Sequence, residues 1–302
     1  MNYFFSAETF LMILRLAVPL ILVSLSSTLS ELCGVISLGT EGLMLIGAFG
    51  GVVGSYYFNN PVLGIICSML SGMVLAYLFS ILCIKFKANQ TVCGVGMNLF
   101  AQGFSAVGTY IIWGQEGISE KVKQLKLISI PLLKNIPILG FIFNNQSPVF
   151  FLTILLSFLI WYVLKYTKTG LHLKAISDEP IAANTVGINV KKYRYVTMII
   201  SGLLAGLGGG YLSIVQNNVF VNNMTAGRGF LGVAANIFGG WTPIGSVLSS
   251  FIFAIAQAIR FKLVGLSIPD QFVQMVPYLI TIFALIFLAN RKQAPKALGK
   301  MD

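Results

Sequence analysis

Long apolar segments recur along almost the whole chain, and short breaks that carry a charge, a proline or paired asparagines separate them. A helix needs about 20 mainly apolar residues to cross the hydrocarbon core of a bilayer. The pattern therefore predicts membrane spans near residues 9–30, 42–58, 61–84, 90–113, 148–166, 195–215, 229–241, 243–261 and 271–290. Two of these segments, 42–58 and 229–241, are short and rich in glycine, which favours broken or re-entrant helices. We predict an all-α integral membrane protein, a polytopic helical bundle of about eight to ten spans.

The composition strengthens this prediction. Hydrophobic residues make up 56% of the 302 positions and charged residues 10%, whereas roughly 25% of a typical soluble domain is charged. So few charges would not cover a soluble protein of this size, but lipid covers the surface of a membrane protein. No basic segment precedes the first apolar run, so we expect no cleaved signal peptide. We treat residues 1–302 as a single transmembrane domain.

The positions of lysine and arginine predict the orientation, because short loops rich in these residues remain in the cytoplasm. This rule assigns to the cytoplasm the turn 85–89, the loop 167–194 and the tail 291–300. The N-terminus and the external segment 114–147 then lie on the other side. Arg260 and Lys262 also fall outside if 229–241 crosses the membrane completely, which conflicts with the rule.

The sequence has none of the residue patterns that are typical of a catalytic or metal site. His172 is the single histidine, the four cysteines form no CxxC pair, and no GxxxxGK[ST] phosphate loop occurs. We expect no enzyme activity, cofactor or metal site on this chain, so any ATP hydrolysis would take place on another subunit. The net charge of +11 is spread thinly between apolar segments, so we expect no nucleic acid partner.

Five isolated polar residues lie within or beside the predicted spans. An ionisable residue at membrane depth, such as Glu41, is a functional hypothesis by default. The alternative is that Glu41 lies in the first turn of a helix, where its charge favours the helix N-terminus. Asn98 and Gln102 are four positions apart and share one helix face. Like Asn236 and Gln257, they would either line a substrate path or join helices together.

Glycines form two patterns along the chain. Gly202, Gly206 and Gly210 recur at every fourth position, and small residues at that spacing let helices approach closely. The stretch 42–51 also resembles the stretch 229–240, and paired glycine-interrupted segments in two halves of a chain indicate a transporter repeat. The alternative is that glycine-rich helices resemble each other by composition alone.

The basic loop 167–194 contains the sequence of a short helix. Pro180 suits a first helical turn, and either Ser177 or Asp178 would cap it. Gly187 is placed to end this helix, since glycine is the residue that most often terminates helices. A short capped helix in a cytoplasmic loop between spans is typical of a docking element.

At this loop the chain resembles the permease subunits of bacterial ABC importers. Ala182 and Ala183, followed by Gly187, are similar to the coupling signature Glu-Ala-Ala-x-x-x-Gly, with Ile181 in place of the glutamate. Further motifs are similar to signatures of the branch that imports sugars, nucleosides and branched-chain amino acids, and they begin at Leu38, Ser201 and Gly229. The resemblance covers about residues 15–290 in chain order.

Within this branch, the Glu-Gly-Leu-Met-Leu-Ile-Gly stretch is most similar to the short permease of nucleoside importers. The resemblance implies a type II ABC importer-like fold in a bacterial cytoplasmic membrane. It also implies a heterodimer with a second permease, cytoplasmic ATPase subunits that bind ATP and Mg, and an extracellular or periplasmic substrate-binding lipoprotein. The residues it assigns to coupling with the ATPase are Asp178, Glu179, Pro180, Ala182, Ala183 and Gly187.

Two alternatives remain open. The first keeps the permease fold and changes the cargo from a nucleoside to a pentose or hexose. The second is a secondary carrier that is driven by an ion gradient, with Glu41 as its proton site. Outside the membrane, lysines of the segment 114–147 would pair with acidic residues of the binding protein, since complementary charge steers docking.

Overall fold

All the extended regular elements in the described part of the chain are helices. The computed structural model describes residues 7–115, 117–128, 145–263, 275 and 294–299. The helices are α1 (Ala7–Leu32), α2 (Thr40–Phe58), α3 (Pro61–Ser80), α4 (Gln90–Trp113), α5 (Pro148–Tyr166), α6 (Lys168–Asp178), α7 (Pro180–Thr185), α8 (Val190–Gly210), α9 (Arg228–Phe238) and α10 (Pro243–Leu263). α3 and α8 continue as π-helical turns over Ile81–Lys85 and Tyr211–Gln216. The predicted span 271–290 lies, apart from Met275, outside the described residues.

Local residues explain why several helices begin where the sequence predicts. The side chain of Asn60 accepts a hydrogen bond from the Val62 N–H, and a proline follows at the first position of α3. Asn89 caps α4 in the same way, and Ser147 caps α5. Each of these side chains satisfies a backbone N–H that has no partner within the helix. The predicted starts at 61, 90 and 148 are therefore confirmed.

Close backbone contacts join α2, α3 and α8. Gly206 lies against Ser68 and Gly72 of α3, and Gly47 of α2 approaches the backbone of Gly206. Gly202 also faces α3, so the glycines repeated along α8 form a packing surface as predicted. Small residues at helix contacts are common in membrane proteins. The hydrophobic effect does not drive helices together within lipid, so their association depends on close van der Waals packing. α1 packs against α8, and it also contacts α9 and α10.

Five of the described helices are long and apolar enough to cross a membrane, namely Glu8–Leu32, Pro61–Lys85, Pro148–Tyr166, Val190–Gln216 and Pro243–Leu263. The predicted 42–58 element is not broken, because α2 runs without interruption from Thr40 to Phe58 and most of its side chains are buried in protein. α9 has 11 residues and is therefore about 16 Å long. A bilayer core is about 30 Å thick, so the element predicted at 229–241 is a short helix and not a complete span.

The connecting segments gather at two ends of the bundle. At one end, named here the coupling end, the Ile36 N–H donates to Gln90, and the Ala297 N–H donates to the Ser177 carbonyl. At the opposite end, Lys262 donates to Thr9, and the Val122 N–H donates to the carbonyl of residue 218. Three segments that are predicted to be cytoplasmic thus share the coupling end. Residues 217–238 lead the chain back to the coupling end. α10 therefore starts there and carries Lys262 to the opposite end, although the positive charge of this lysine predicts the cytoplasmic side.

The contact of α8 with α3 leads to a first prediction. Gly206→Ala would place a Cβ against the Ser68 carbonyl, and overpacking of this kind costs about 1–3 kcal/mol. We expect a lower midpoint of thermal unfolding for the purified chain in detergent. The control is Gly103→Ala on α4, where a Cβ meets nothing within 4 Å. Equal midpoints for the two variants would contradict the close packing of α3 and α8.

Candidate functional site

The loop 167–194 folds into two short helices, α6 and α7. Pro180 is the first residue of α7, and Gly187, with φ of 90°, follows its end. The N–H groups of Gly187 and Ile188 donate to the carbonyls of Asn184 and Ala183, each at 3.1 Å. This pair of bonds is the Schellman arrangement that ends many helices at a glycine. The predicted helix and its end at Gly187 are therefore confirmed.

The predicted cap of α7 is wrong. Asp178 is the last residue of α6, and Glu179 occupies the N-cap position of α7 without a side-chain hydrogen bond to it. The backbone at Glu179 is extended, so α6 and α7 are two separate helices joined at one residue. The proline at the next position favours this break, because the residue before a proline avoids the helical conformation.

The six residues that the resemblance assigns to coupling divide between two faces of the loop. Pro180 and Ala183 are buried, and Ala183 packs with Ile176 and Val190. The other four are exposed, namely Asp178, Glu179, Ala182 and Gly187. Two apolar side chains stand beside them, with Ile181 exposed by 58% and Val186 by 76%. The exposed face of α7 is thus partly apolar, and the buried face fixes its position.

The C-terminal tail holds this loop against the turn between α1 and α2. Ala297 is buried, and its N–H donates to the carbonyl of Ser177 at 3.0 Å. The N–H of Gly299 donates to the carbonyl of Gly34, also at 3.0 Å. Arg194, at the start of α8, donates to the carbonyl of Cys33 at 3.1 Å. The sequence predicts the tail on this side of the membrane, but no local pattern indicates these contacts.

Glu41 lies in the first turn of α2 and accepts hydrogen bonds at the N-terminus of α9. Its Oε1 accepts from the Thr225 hydroxyl at 2.5 Å and from the Gly227 N–H at 2.9 Å. Its Oε2 accepts from the Gly229 N–H at 2.6 Å. A carboxylate is favourable at a helix N-terminus, where N–H groups and the helix dipole both attract negative charge. Of the two interpretations of Glu41, the contacts favour stabilisation of a helix N-terminus. Glu41 stabilises the N-terminus of α9 in addition to that of its own helix, α2.

A second buried carboxylate, to which no function was assigned from the sequence, lies at the other end of α9. Glu31 accepts hydrogen bonds from the side chains of Ser37 at 2.6 Å, Asn236 at 2.9 Å and Trp241 at 2.5 Å. Asn236 in turn accepts from the Thr28 hydroxyl at 2.8 Å. The signal in the sequence is an acid that closes a serine-rich helix end, from residue 24 to residue 30.

The two acids together fix the short helix α9 within the bundle. Gly232 of α9 lies beside Val23 and Ser24, well inside the span of α1, so the N-terminus of α9 is within the membrane-spanning body. Gly229 packs so closely on Glu41 that a Cβ would collide with its backbone. The two glycine-rich stretches that resemble each other in sequence therefore meet at their N-termini.

The four amides of the predicted substrate path are distributed over three helices, α4, α9 and α10. Asn98 of α4 accepts from the Gly42 N–H at 2.8 Å and donates to the Leu38 carbonyl at 2.9 Å, so it anchors the start of α2. Gln102 lies one turn further along α4 and is half-buried. Gln257 is buried in α10, and its Oε1 accepts no hydrogen bond from the described part of the chain. Asn98 and Glu41 thus come together at one helix start, whereas Asn236 lies at the far end of α9.

Removal of the Glu41 charge tests this arrangement. In Glu41→Gln the amide retains a single acceptor oxygen, so a buried N–H of α9 loses its partner, at a cost of about 1–3 kcal/mol. We expect the variant to unfold at a lower temperature than the unmodified chain. Glu120→Gln is the matched control, because Glu120 is an exposed acid in the segment 117–128. If both variants unfold at the same temperature, Glu41 does not stabilise α9.

The bundle of apolar helices, with the short helix α9 inside it and the exposed loop helix α7, is that of a multi-pass membrane protein. A family described as the branched-chain amino acid transport system, permease component, matches residues 9–285. The chain belongs to this family of ABC transporter permeases.

Individual relatives extend over nearly the whole chain. The guanosine ABC transporter permease protein NupQ of Bacillus subtilis is 37% identical over 94% of this chain and 92% of its own length. The nucleoside ABC transporter permease protein NupC of Lactococcus lactis is 37% identical over 93% of this chain and 92% of its own. A Haloferax volcanii protein named as a glucose ABC transporter permease, TsgC13, is 30% identical over 92% of this chain and 90% of its own.

A more distant similarity links the chain to a second nucleoside permease. The nucleoside ABC transporter permease protein NupB of Lactococcus lactis is 24% identical over 92% of this chain and 79% of its own length. NupB and NupC come from the same strain and carry the same description. One organism therefore has two nucleoside ABC transporter permease proteins that are similar to this chain.

Proposed function

We propose that this chain is one of two permease subunits of an ATP-driven nucleoside importer in a bacterial cytoplasmic membrane. The observation that carries the proposal is the 37% identity to NupQ and NupC along more than nine-tenths of the chain. The relative with a sugar transporter's name is less similar, at 30% identity. The second permease would resemble NupB, which is similar to this chain over 79% of its own, greater length.

The exposed face of α7 would contact a cytoplasmic ATPase subunit, on which ATP and Mg would bind. Ile181 and Val186 present apolar surface outside the membrane-spanning helices, and apolar side chains of this kind commonly anchor protein interfaces. Asp178 and Glu179 add negative charge beside them. The buried residues Pro180 and Ala183 would keep this face in position rather than touch the ATPase.

Contacts of the loop provide a route from the ATPase to the interior of the bundle. The loop is bonded to the tail through Ser177, and the tail is bonded to the 33–39 turn through Gly34. The same turn holds Ser37, which donates to the carboxylate of Glu31. Movement of α7 would therefore shift the residues that hold the end of α9. The path for the nucleoside would run between the two permeases and open alternately on each side.

The segment 117–128 would meet the substrate-binding lipoprotein on the other side of the membrane. Val122 and Leu125 are buried against the rest of the chain, and the lysines between and beside them are exposed at positions 121, 123 and 126. A row of exposed lysines on a fixed segment favours an acidic partner, because complementary charge raises the rate and specificity of association.

The carrier alternative has less support from the site. Both oxygens of the Glu41 carboxylate accept hydrogen bonds from the N-terminal region of α9. A proton site of a carrier must exchange its proton with each side of the membrane in turn, whereas this carboxylate has a structural use. No enzymatic role is proposed for the chain, and the ATPase activity would reside on its partners.

A negative charge introduced on the exposed face of α7 should uncouple ATP hydrolysis from transport. We expect Ile181→Asp or Val186→Asp to weaken binding of the ATPase subunit at least about tenfold, equivalent to ~1.4 kcal/mol, because a carboxylate would be desolvated in an apolar contact. Membrane insertion and thermal stability should remain unchanged, since both side chains are exposed. The measurement is co-purification of the ATPase and substrate-stimulated ATP hydrolysis in proteoliposomes.

Leu127→Asp is the matched control, since this exposed apolar residue lies in the external segment. It should leave ATPase binding unchanged. Ala183→Leu should instead lower the stability of the chain, because Ala183 is buried against Ile176 and Val190. If Ile181→Asp and Val186→Asp couple normally, α7 does not form the contact with the ATPase.

Uptake of labelled guanosine tests the cargo and the energy source. We expect uptake in cells that express the chain with its second permease, ATPase and binding lipoprotein. Unlabelled nucleosides should compete, and an excess of ribose or glucose should not. Competition by a sugar would identify a sugar permease, and uptake by this chain alone under a proton gradient would identify a carrier.

A further inference from the structure

A groove runs between α5 and α10 from the coupling end toward the middle of the bundle. Its wider part is a cavity of about 630 Å³ between the ends of α1, α5, α6 and α10. A second cavity of about 340 Å³ continues it along α5 and α10, and both are lined by Trp161, Pro243 and Ile244. We name the two cavities together the α5–α10 groove. Neither the substrate path nor the ATPase contact proposed above uses it.

The wider part of the groove is basic and aromatic. Lys165 and Lys174 line it, together with Trp161 and Trp241. The Lys165 ammonium also lies over the ring of Trp161, 5.2 Å from its centre. Tryptophan and lysine side chains at the end of a span commonly lie at the depth of the lipid headgroups. No acidic side chain is among the described residues that line this part.

The narrower part of the groove is apolar. Apart from Ser157, its described lining consists of apolar and aromatic side chains, namely Phe158, Trp161, Pro243, Ile244, Val247 and Leu248. Leu248, in the second turn of the spanning helix α10, is 60% exposed. A surface of this kind, continuous with a basic pocket at the end of the bundle, matches a molecule with an anionic head and an apolar tail.

We propose that the α5–α10 groove binds one anionic phospholipid, such as phosphatidylglycerol, from the leaflet at the coupling end. The phosphate would lie between Lys165 and Lys174, and one acyl chain would follow Phe158 and Leu248. Basic pockets between spanning helices on the cytoplasmic side are suited to anionic headgroups. A zwitterionic phospholipid such as phosphatidylcholine binds less well, because its choline group opposes the two lysines.

The occupied groove would also touch the residues that hold α9. Trp241 lines the groove, and its indole N–H donates to Glu31. Its backbone has a positive φ of 54°, which is unusual for a tryptophan. A lipid packed on the indole ring therefore supports a strained turn between α9 and α10. This inference is independent of the nature of the transported molecule.

Lipid titration of the full-length chain, followed by native mass spectrometry, tests the headgroup site. We expect phosphatidylglycerol to bind more tightly than phosphatidylcholine. Lys165→Gln and Lys174→Gln should each weaken its binding about fivefold, and the double variant about thirtyfold, from a contribution of about 1 kcal/mol per lysine. Lys168→Gln is the control, because Lys168 is an exposed residue of the same loop that does not line the groove.

Two further arms separate a lipid from a free anion. Leu248→Trp should fill the apolar part and reduce lipid binding, whereas Leu155→Trp should not, although both leucines are 60% exposed. Inorganic phosphate and glycerol phosphate should fail to displace the lipid at millimolar concentration. Displacement by either anion, equal binding of phosphatidylcholine, or loss of binding in Lys168→Gln to the same extent as in the lysine variants would overturn the proposal.

Discussion

The hydrogen bonds between the Glu41 carboxylate and the N-terminus of α9 are the interaction on which the interior of the bundle depends. A helix of 11 residues that begins within the spanning body exposes backbone N–H groups where no water satisfies them. Glu41 accepts from two of these N–H groups and from the hydroxyl of Thr225. The charge of the acid and the dipole of the helix stabilise each other, so an isolated acid in an apolar protein has a physical explanation.

The hydrogen bonds of Glu41 depend on glycines that allow the helices to approach closely. Gly229 permits α9 to lie directly against the backbone of Glu41, and Gly47 and Gly209 permit α2 to lie against α8. Larger side chains at these positions would separate the helices and move the carboxylate away from the N–H groups. The high glycine content is thus not a sign of loose structure. It allows polar backbone groups to meet their partners without water.

The second acid connects the interior with the coupling end. Glu31 binds the end of α9 through Asn236 and Trp241, and it binds the turn after α1 through Ser37. That turn is bonded to the tail, which is bonded to the loop that carries α7. Packed and hydrogen-bonded groups of this kind can carry coupling between distant sites. An ATPase subunit bound at α7, as proposed, would act on the interior of the permease through these contacts.

The sequence by itself determined the class of the protein, most helix boundaries and the position of the loop helix. These features depend on local properties, namely the apolar length of a segment, capping by Asn60 and Asn89, and the glycine at 187 that ends α7. The tertiary structure alone decided which polar groups meet. Glu31 and Asn236 are 205 positions apart, and Glu41 and Gly229 are 188 apart. Local sequence carries no record of contacts between helices so distant in the chain, because packing of the whole bundle selects them.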